Sequence, residues 1–362
     1  MQLSILGLGT AQPTHLIEQT EAADFAVTIN GVSADHARTL QMLYKRSGVE
    51  RRGSVLLKCA AGSEERQDFF SPPEDEEDRG PSTAARMAQY AAEAPAITLA
   101  AAHRALEDAA ISPDSIRHLV TASCTGFTAP GFDIVLMNEL PLAPSVTRTH
   151  VGFMGCHAAI NALRVASALV ASDPGSRALV CVAELCSLHF QYGHEPDSMV
   201  TNALFADGAA AAVLSSGPSW PDDWQLAKTG SHLFPDSLSA MTWQIGDRGF
   251  EMRLSNRVPE LIAADLRPWL VSWLAAQGLQ LSDVASWAIH PGGPRIVSGV
   301  TSALNLPAGA DAVSRQVLAE CGNMSSPTIL FILEELRRSG APRPCVALGF
   351  GPGLVVETAL FR

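Results

Sequence analysis

Three polar residues in this chain are of the types needed for thioester chemistry: a thiol, an imidazole and an amide. Cys156 follows Gly155 and leads an apolar helix, GCHAAINALRVASALVA. His290 ends an apolar strand and is followed by chain breakers, IHPGGP (289–294). Asn323 follows Gly322 and reads as the opening of a second helix, GNMSSPTILFILEELRR. A thiolate attacks a thioester and holds the acyl chain covalently. Both a helix N-terminus and a neighbouring His favour that thiolate. An imidazole serves as base, ion-pair partner or donor to an oxyanion. An amide donates without titrating, which suits an enolate made by malonyl decarboxylation. Each residue also has a plainer role: free Cys is commonly buried, a strand-end His is often structural, and Asn is a favoured N-cap.

The elements around Cys156 and Asn323 share one plan. In each, a Gly and a polar residue lead a helix, a turn with Pro (DPGSR, SGAPRP) and a strand (ALVCVAE, CVALGF). A doubled fold would set the two helix N-termini side by side. In the first half, the patterning predicts a strand over 2–9, helices over 33–46 and 83–110, and a strand over 118–124. A helix over 156–171 follows, then strands over 178–185 and, after the Asp207-Gly208 turn, to 215. Residues 61–82, acidic and Pro-containing, read as a surface loop. In the second half, helices are expected over 257–276 and 323–338, and strands over 284–293 and after Gly351-Pro352-Gly353. Ser326-Pro327 and Gly340 mark the limits of the last helix. The turn-rich stretch 215–224 divides the halves, giving domains 1–218, with the Cys, and 219–362, with the His and Asn. The first half carries an insertion, mostly between 186 and 204, beside the nucleophile, where pocket walls are expected.

Bulk properties narrow the classes. The 362 residues are 47% hydrophobic and 17% charged, which favours a large layered α/β interior with an oligomeric interface. A net charge of −12 speaks against nucleic acid as partner. The seven Cys form no C-x-x-C pair and no metal-ligand spacing, and an odd, scattered set fits reduced thiols in the cytoplasm. MQLSILGLGT reads as a first strand and not as a signal peptide. No run of 18 apolar residues suggests a membrane span.

Gly155-Cys156 ahead of a buried helix, IHPGGP, GNMSSPTILFIL (322–333) and GFGPGL (349–354), in this order, resemble the type III polyketide synthases of the chalcone synthase family, in a bacterial form. The resemblance spans nearly the whole chain and is strongest from 120 to 362. It implies the thiolase fold, two similar α/β halves in five αβαβα layers, and a homodimer. It implies Cys156 as the acyl carrier, with His290 and Asn323 binding the thioester carbonyl and steadying the enolate. Acyl-CoA and malonyl-CoA are the implied substrates, with no metal and no resident cofactor.

The resemblance also implies a cavity. Phe205 matches an aromatic gatekeeper, and Met252 stands where a second aromatic is usual. Cys124, Cys186, His189, Thr201, Trp243 and Ser325 fall at lining positions, and the Gly351-Pro352-Gly353 turn shapes the same space. Cys124, Cys186 and His189 replace Thr, and Thr201 and Trp243 replace Gly. Trp243 should remove volume or divert the chain. Ala129 stands in place of a Met that crosses the dimer interface. Core packing is the alternative reading for each of these positions. Arg46, in the basic cluster KRSGVERR, aligns with a CoA-binding Lys, although a basic residue also suits a helix C-terminus.

The expected activity is loading of an acyl starter, iterative malonyl extension and cyclisation to an alkylpyrone, resorcinol or related product. The alternative is a β-ketoacyl-ACP synthase III-like enzyme that condenses once. A papain-like peptidase and a non-catalytic scaffold fit the doubled plan and the three polar residues less well.

Overall fold

The architecture is that of a computed structural model describing residues 3–30, 34–59, 66–75, 77–193, 195–216 and 224–362. The expected domain boundary at 218/219 and part of the 61–82 loop lie outside the described residues. The first half contains β1 (Ser4–Ala11), β2 (Leu16–Glu18), α1 (Gln19–Asn30), α2 (Ala34–Arg46), β3 (Arg51–Gly53), α3 (Thr83–Asp108), β4 (His118–Ser123), α4 (Phe132–Glu139), β5 (Thr147–Gly152), α5 (Ala158–Ser172), β6 (Arg177–Leu185), α6 (Pro196–Leu204) and β7 (Asp207–Ser215). The second contains β8 (Trp224–Leu233), β9 (Met241–Gly246), β10 (Gly249–Leu254), α7 (Val258–Ala275), β11 (Ser286–Ile289), α8 (Pro294–Leu304), α9 (Ala312–Cys321), α10 (Thr328–Arg338), β12 (Cys345–Gly351) and β13 (Val355–Phe361).

The duplication is visible in the strand order β11-β12-β13-β8-β1-β7-β6-β4-β5. β4 runs parallel to β6, and β7 and β1 follow antiparallel. β11 likewise runs parallel to β12, and β13 and β8 follow antiparallel. The two sets meet where Ser4 and Ile5 pair with Gln225 and Trp224.

Period-two alternation sorts each strand between two cores. Val180 and Val182 of β6 face a central core with α5 and α10, while Leu179 and Cys181 face α3. Ala347 of β12 faces the same central core, while Val346 and Leu348 face α7 and α8. Outer helix, sheet, paired central helices, sheet and outer helices make five layers, the thiolase fold. Glycine permits the tightest contact: a Cβ on Gly9 would lie 2.3 Å from the Ala105 nitrogen, so α3 rests directly on β1.

The second central helix begins later than expected. It starts at Thr328, so Asn323 does not open it. Asn323 forms a single bridge with Phe205 instead. Ser325 turns left-handed at φ 56°, and Met324 N donates to Thr328 Oγ1 at 2.9 Å. Pro327, without an N–H, then fixes the helix start. Cys156 sits in a short 3₁₀ turn, Gly155–His157, immediately before α5. The described helices are too short or too polar to cross a membrane.

Candidate active site

Cys156 and Asn323 line one narrow cavity of about 20 Å³, with Phe205, Met252 and Gly292 in its wall. His290 immediately follows β11 and is 1% exposed. Its backbone N–H donates to Leu348 O at 2.8 Å. Both ring nitrogens are buried with no partner among the described residues. Such orphaned atoms in a native interior call for a ligand or a chemical role. The Asn323 carbonyl accepts from Ser325 N at 2.8 Å, which leaves its NH₂ as the donor. Ser325 Oγ donates to Cys156 Sγ at 3.5 Å.

Burial pushes the Cys156 thiol up to about 12 and the His290 imidazole down to about 3. A lone thiolate at Cys156 or a lone imidazolium at His290 is therefore disfavoured. Burial outweighs the favourable helix terminus at the thiol.

A second, larger cavity of about 410 Å³ also reaches Cys156. Cys124, Cys186, His189, Thr201, Phe205, Trp243, Met252, Ser325 and Pro352 line it. Gly351, Gly353 and Arg46 do not. Gly351 packs beneath the His157 ring instead: a Cβ there would lie 2.4 Å from it. Arg46 ends α2 on the surface, outside the lining. Ala129 lines a separate cavity of about 490 Å³ with Phe127 and His150.

His189 is a wall and not a base. Its Nε2 donates to Thr125 O at 2.6 Å and its Nδ1 accepts from Phe250 N at 2.9 Å. Its ring stacks on Phe250 with centroids 4.2 Å apart, and burial pushes it down to about 3. Trp243 is equally fixed, donating from Nε1 to Cys124 O at 2.7 Å and packing edge-on against His189. The same cavity also has an apolar wall, its arm, formed by Phe25 of α1 with Leu56, Leu57, Phe70 and Phe190.

Sequence reading missed the arm and the residues that brace it. Glu184, fully buried, accepts from Cys124 N, Thr125 N, Thr125 Oγ1 and Ser326 Oγ at 2.7–3.0 Å. Cys124 Sγ also donates to it, at 2.9 Å. Burial raises its carboxyl, and these bonds oppose the rise. Asp207 accepts from Val55 N and Ser187 N at 2.8 and 2.7 Å, tying two cavity walls together. Arg52 donates to Asn202 O and Phe205 O at 2.6 and 2.8 Å. Its signal was present in KRSGVERR, but that cluster divides between the surface (Arg46) and the interior (Arg52). Among the described residues no group of His, Cys, Asp and Glu is placed to hold a metal.

Comparison with known proteins agrees with this geometry. The family profile described as "Chalcone and stilbene synthases, N-terminal domain" matches residues 2–218, and that of the C-terminal domain matches 225–362. The chain is 32% identical over 366 residues to an "Alpha-pyrone synthesis polyketide synthase-like Pks18" of Mycobacterium tuberculosis, covering 99% of this chain and 90% of that protein. The crystal structure of PKS-I from the brown alga Ectocarpus siliculosus superposes with a TM-score of 0.93 at 29% identity, covering 100% of this chain and 98% of that one. The C-terminal type III polyketide synthase domain of Steely1 from Dictyostelium superposes at 0.88 and 24% identity, covering 100% and 99%, a likeness of fold.

Proposed function

The chain belongs to the chalcone and stilbene synthase family and is a type III polyketide synthase, and from that premise we propose that it builds on an aliphatic acyl starter held by Cys156. The supporting observation is that the cavity reaching Cys156 and Trp243 is also lined by Phe25, Leu56, Leu57, Phe70 and Phe190. An aliphatic chain fits such a lining, whereas the polar end of the site serves the thioester.

In this reading the narrow cavity between Phe205 and Met252 admits the thioester-bearing arm of CoA. His290 takes the Sγ proton as Cys156 attacks the starter carbonyl, and returns it to the departing CoA thiolate. Malonyl-CoA then binds with its thioester oxygen between the His290 ring N–H and the Asn323 NH₂. Loss of CO₂ leaves an enolate that these donors stabilise. The enolate carbon attacks the acyl-Cys156 carbonyl and the C–S bond breaks with Cys156 leaving as thiolate; the lengthened chain, now a CoA thioester, is then transferred back to Cys156 with release of CoA for another round. Cys124, Cys186, His189, Thr201, Trp243, Ser325 and Pro352 shape the cavity where the chain closes, and an alkylpyrone or resorcinol is the product class. Gly351 contributes only by seating His157, and Arg46 meets CoA phosphate at the surface. The substrates bring all the reactive groups as CoA thioesters, so the reading needs no resident cofactor. It pairs residues 1–218 and 219–362 as two cooperating domains of a cytoplasmic homodimer.

The test is a product assay with malonyl-CoA and a panel of aliphatic and aromatic acyl-CoA starters, read by mass spectrometry. Products carrying two or more malonyl-derived units on aliphatic starters support the reading. A single extension, or activity only with an acyl carrier protein, refutes it.

A further inference from the structure

We propose that the ion pair between Arg66 and Glu21 closes the far end of the apolar arm and sets the longest starter the enzyme accepts. This rests on the reading above, in which the starter chain lies in the arm. Both residues line the cavity that begins at Cys156. The same cavity is lined by the apolar Leu56, Leu57, Phe70, Phe190 and Phe25. Beside Arg66 and Glu21, the α1 residue Asp24 and the neighbouring Gln67 make a polar group in its wall.

The pair stands at the border of cavity and solvent. The Arg66 side chain is 10% exposed and its Glu21 partner 35%, so the cation is the more buried member. Arg66 is pinned by donation from Nη2 to Leu16 O at 2.7 Å and by Lys58 N donating to its carbonyl at 2.8 Å. Gln67 makes two 2.8 Å bonds with the Phe70 backbone, so the segment does not swing freely. Yet Arg66 Nε has no partner among the described residues. The buried Arg86, whose Nη2 is likewise unpartnered among the described residues, still meets three carbonyls at 2.6–2.9 Å. Arg66 is thus a thinly satisfied cation, held chiefly by one acid more exposed than itself.

A methyl terminus reaching this point meets a guanidinium. Seating hydrocarbon there strips the ion pair of polar surroundings without replacing them, which is costly. Chains that stop short of Arg66 avoid that cost, and longer chains must break the pair. Length discrimination follows from where the apolar wall ends.

The experiment is a competition among saturated acyl-CoA starters from butanoyl to octadecanoyl, with malonyl-CoA in excess and products resolved by mass. It is run on the full chain and on Glu21→Ala, Arg66→Ala and Leu57→Trp. Removing either member of the pair should raise the ratio of long-chain to mid-chain products by at least ~10-fold, about 1.4 kcal/mol of discrimination. Leu57→Trp, which plugs the arm nearer the thiol, should shift products towards short starters. An unchanged length profile in folded Glu21→Ala and Arg66→Ala, with Leu57→Trp still shortening it, overturns the latch and leaves the arm standing. No response in any variant overturns the arm reading as well. Should Arg66→Ala fail to fold, Glu21→Ala, on the more exposed side, decides the matter by the same ratio.

Discussion

A thiol pushed up to about 12 becomes a nucleophile only if something nearby takes its proton, and His290 is the residue to which the proposal gives that task. With His290→Gln, Cys156 would face burial alone. Alkylation of Cys156 by iodoacetamide at pH 7 should then fall at least ~10-fold against the unaltered protein, since each pH unit below the thiol value costs tenfold in thiolate. In that variant the rate should climb steadily to pH 9 without a plateau. Equal labelling in both proteins would remove His290 from the nucleophile's activation. Cys156→Ala should abolish polyketide formation and leave the melting temperature nearly unchanged, because Ala suits the turn before α5. The residue scale also fixes an acid sensitivity. His189 and His290 are both held down to about 3, well under the unfolded value of about 6.5. The unfolded chain therefore binds more protons than the folded one between those values. Stability is fully present above pH ~6.5 and is lost as pH falls towards 3, by up to about 1.4 kcal/mol per pH unit for each ring. Urea unfolding at pH 7 and pH 5 should show the loss. Asp207, pushed up to about 6 by burial, has the opposite slope, so the difference between the unaltered chain and His290→Gln isolates one ring.

At the scale of elements, the sequence disclosed where strands and helices lie but not what they enclose. The helices over 33–46 and 83–110 and the strand leading to His290 follow from local pattern, and the structure has them at Ala34–Arg46, Thr83–Asp108 and Ser286–Ile289. The late start of α10 was illegible, because a left-handed Ser325 and the Asn323–Phe205 bridge depend on a partner more than a hundred residues away. The arm was illegible for the same reason: Phe25, Leu56, Phe70 and Phe190 carry no shared local signal and meet only in the fold. Trp243 was legible through the resemblance alone, and the structure has it in the cavity wall, held by its bond to Cys124 O. Trp243→Gly should open space beside Cys124 and shift the starter range or product length, with mass spectrometry as the readout; an unaltered product profile would show that this wall does not steer the chain. Glu184 links the ends of β4 and β6 to the approach to α10. Replacing it with Gln puts donors where Thr125 and Cys124 already donate. The expected loss is about 2–4 kcal/mol, measurable by thermal or urea unfolding.

On the scale of the whole molecule, the thiol comes from the first half and the imidazole and amide from the second. The proposed dimer adds a further level. Among the described residues β5 ends the strand order with no partner on its outer side, and Phe127 and Phe153 nearby are 57% and 37% exposed. An unpaired edge beside exposed aromatics is a surface that proteins usually cover. Sedimentation should give twice the 38.3 kDa of one chain, and Phe153→Lys should shift the population towards single chains.

The two halves meet edge to edge where Ser4 and Ile5 pair with Gln225 and Trp224 and where Leu226 N donates to Leu3 O at 2.8 Å. These segments lie far apart in sequence, and such contacts are slow to close. After dilution from denaturant, helical signal should therefore recover first while catalysis lags behind it. Turnover becomes a stopwatch for docking, because no half-folded intermediate carries Cys156, His290 and Asn323 together.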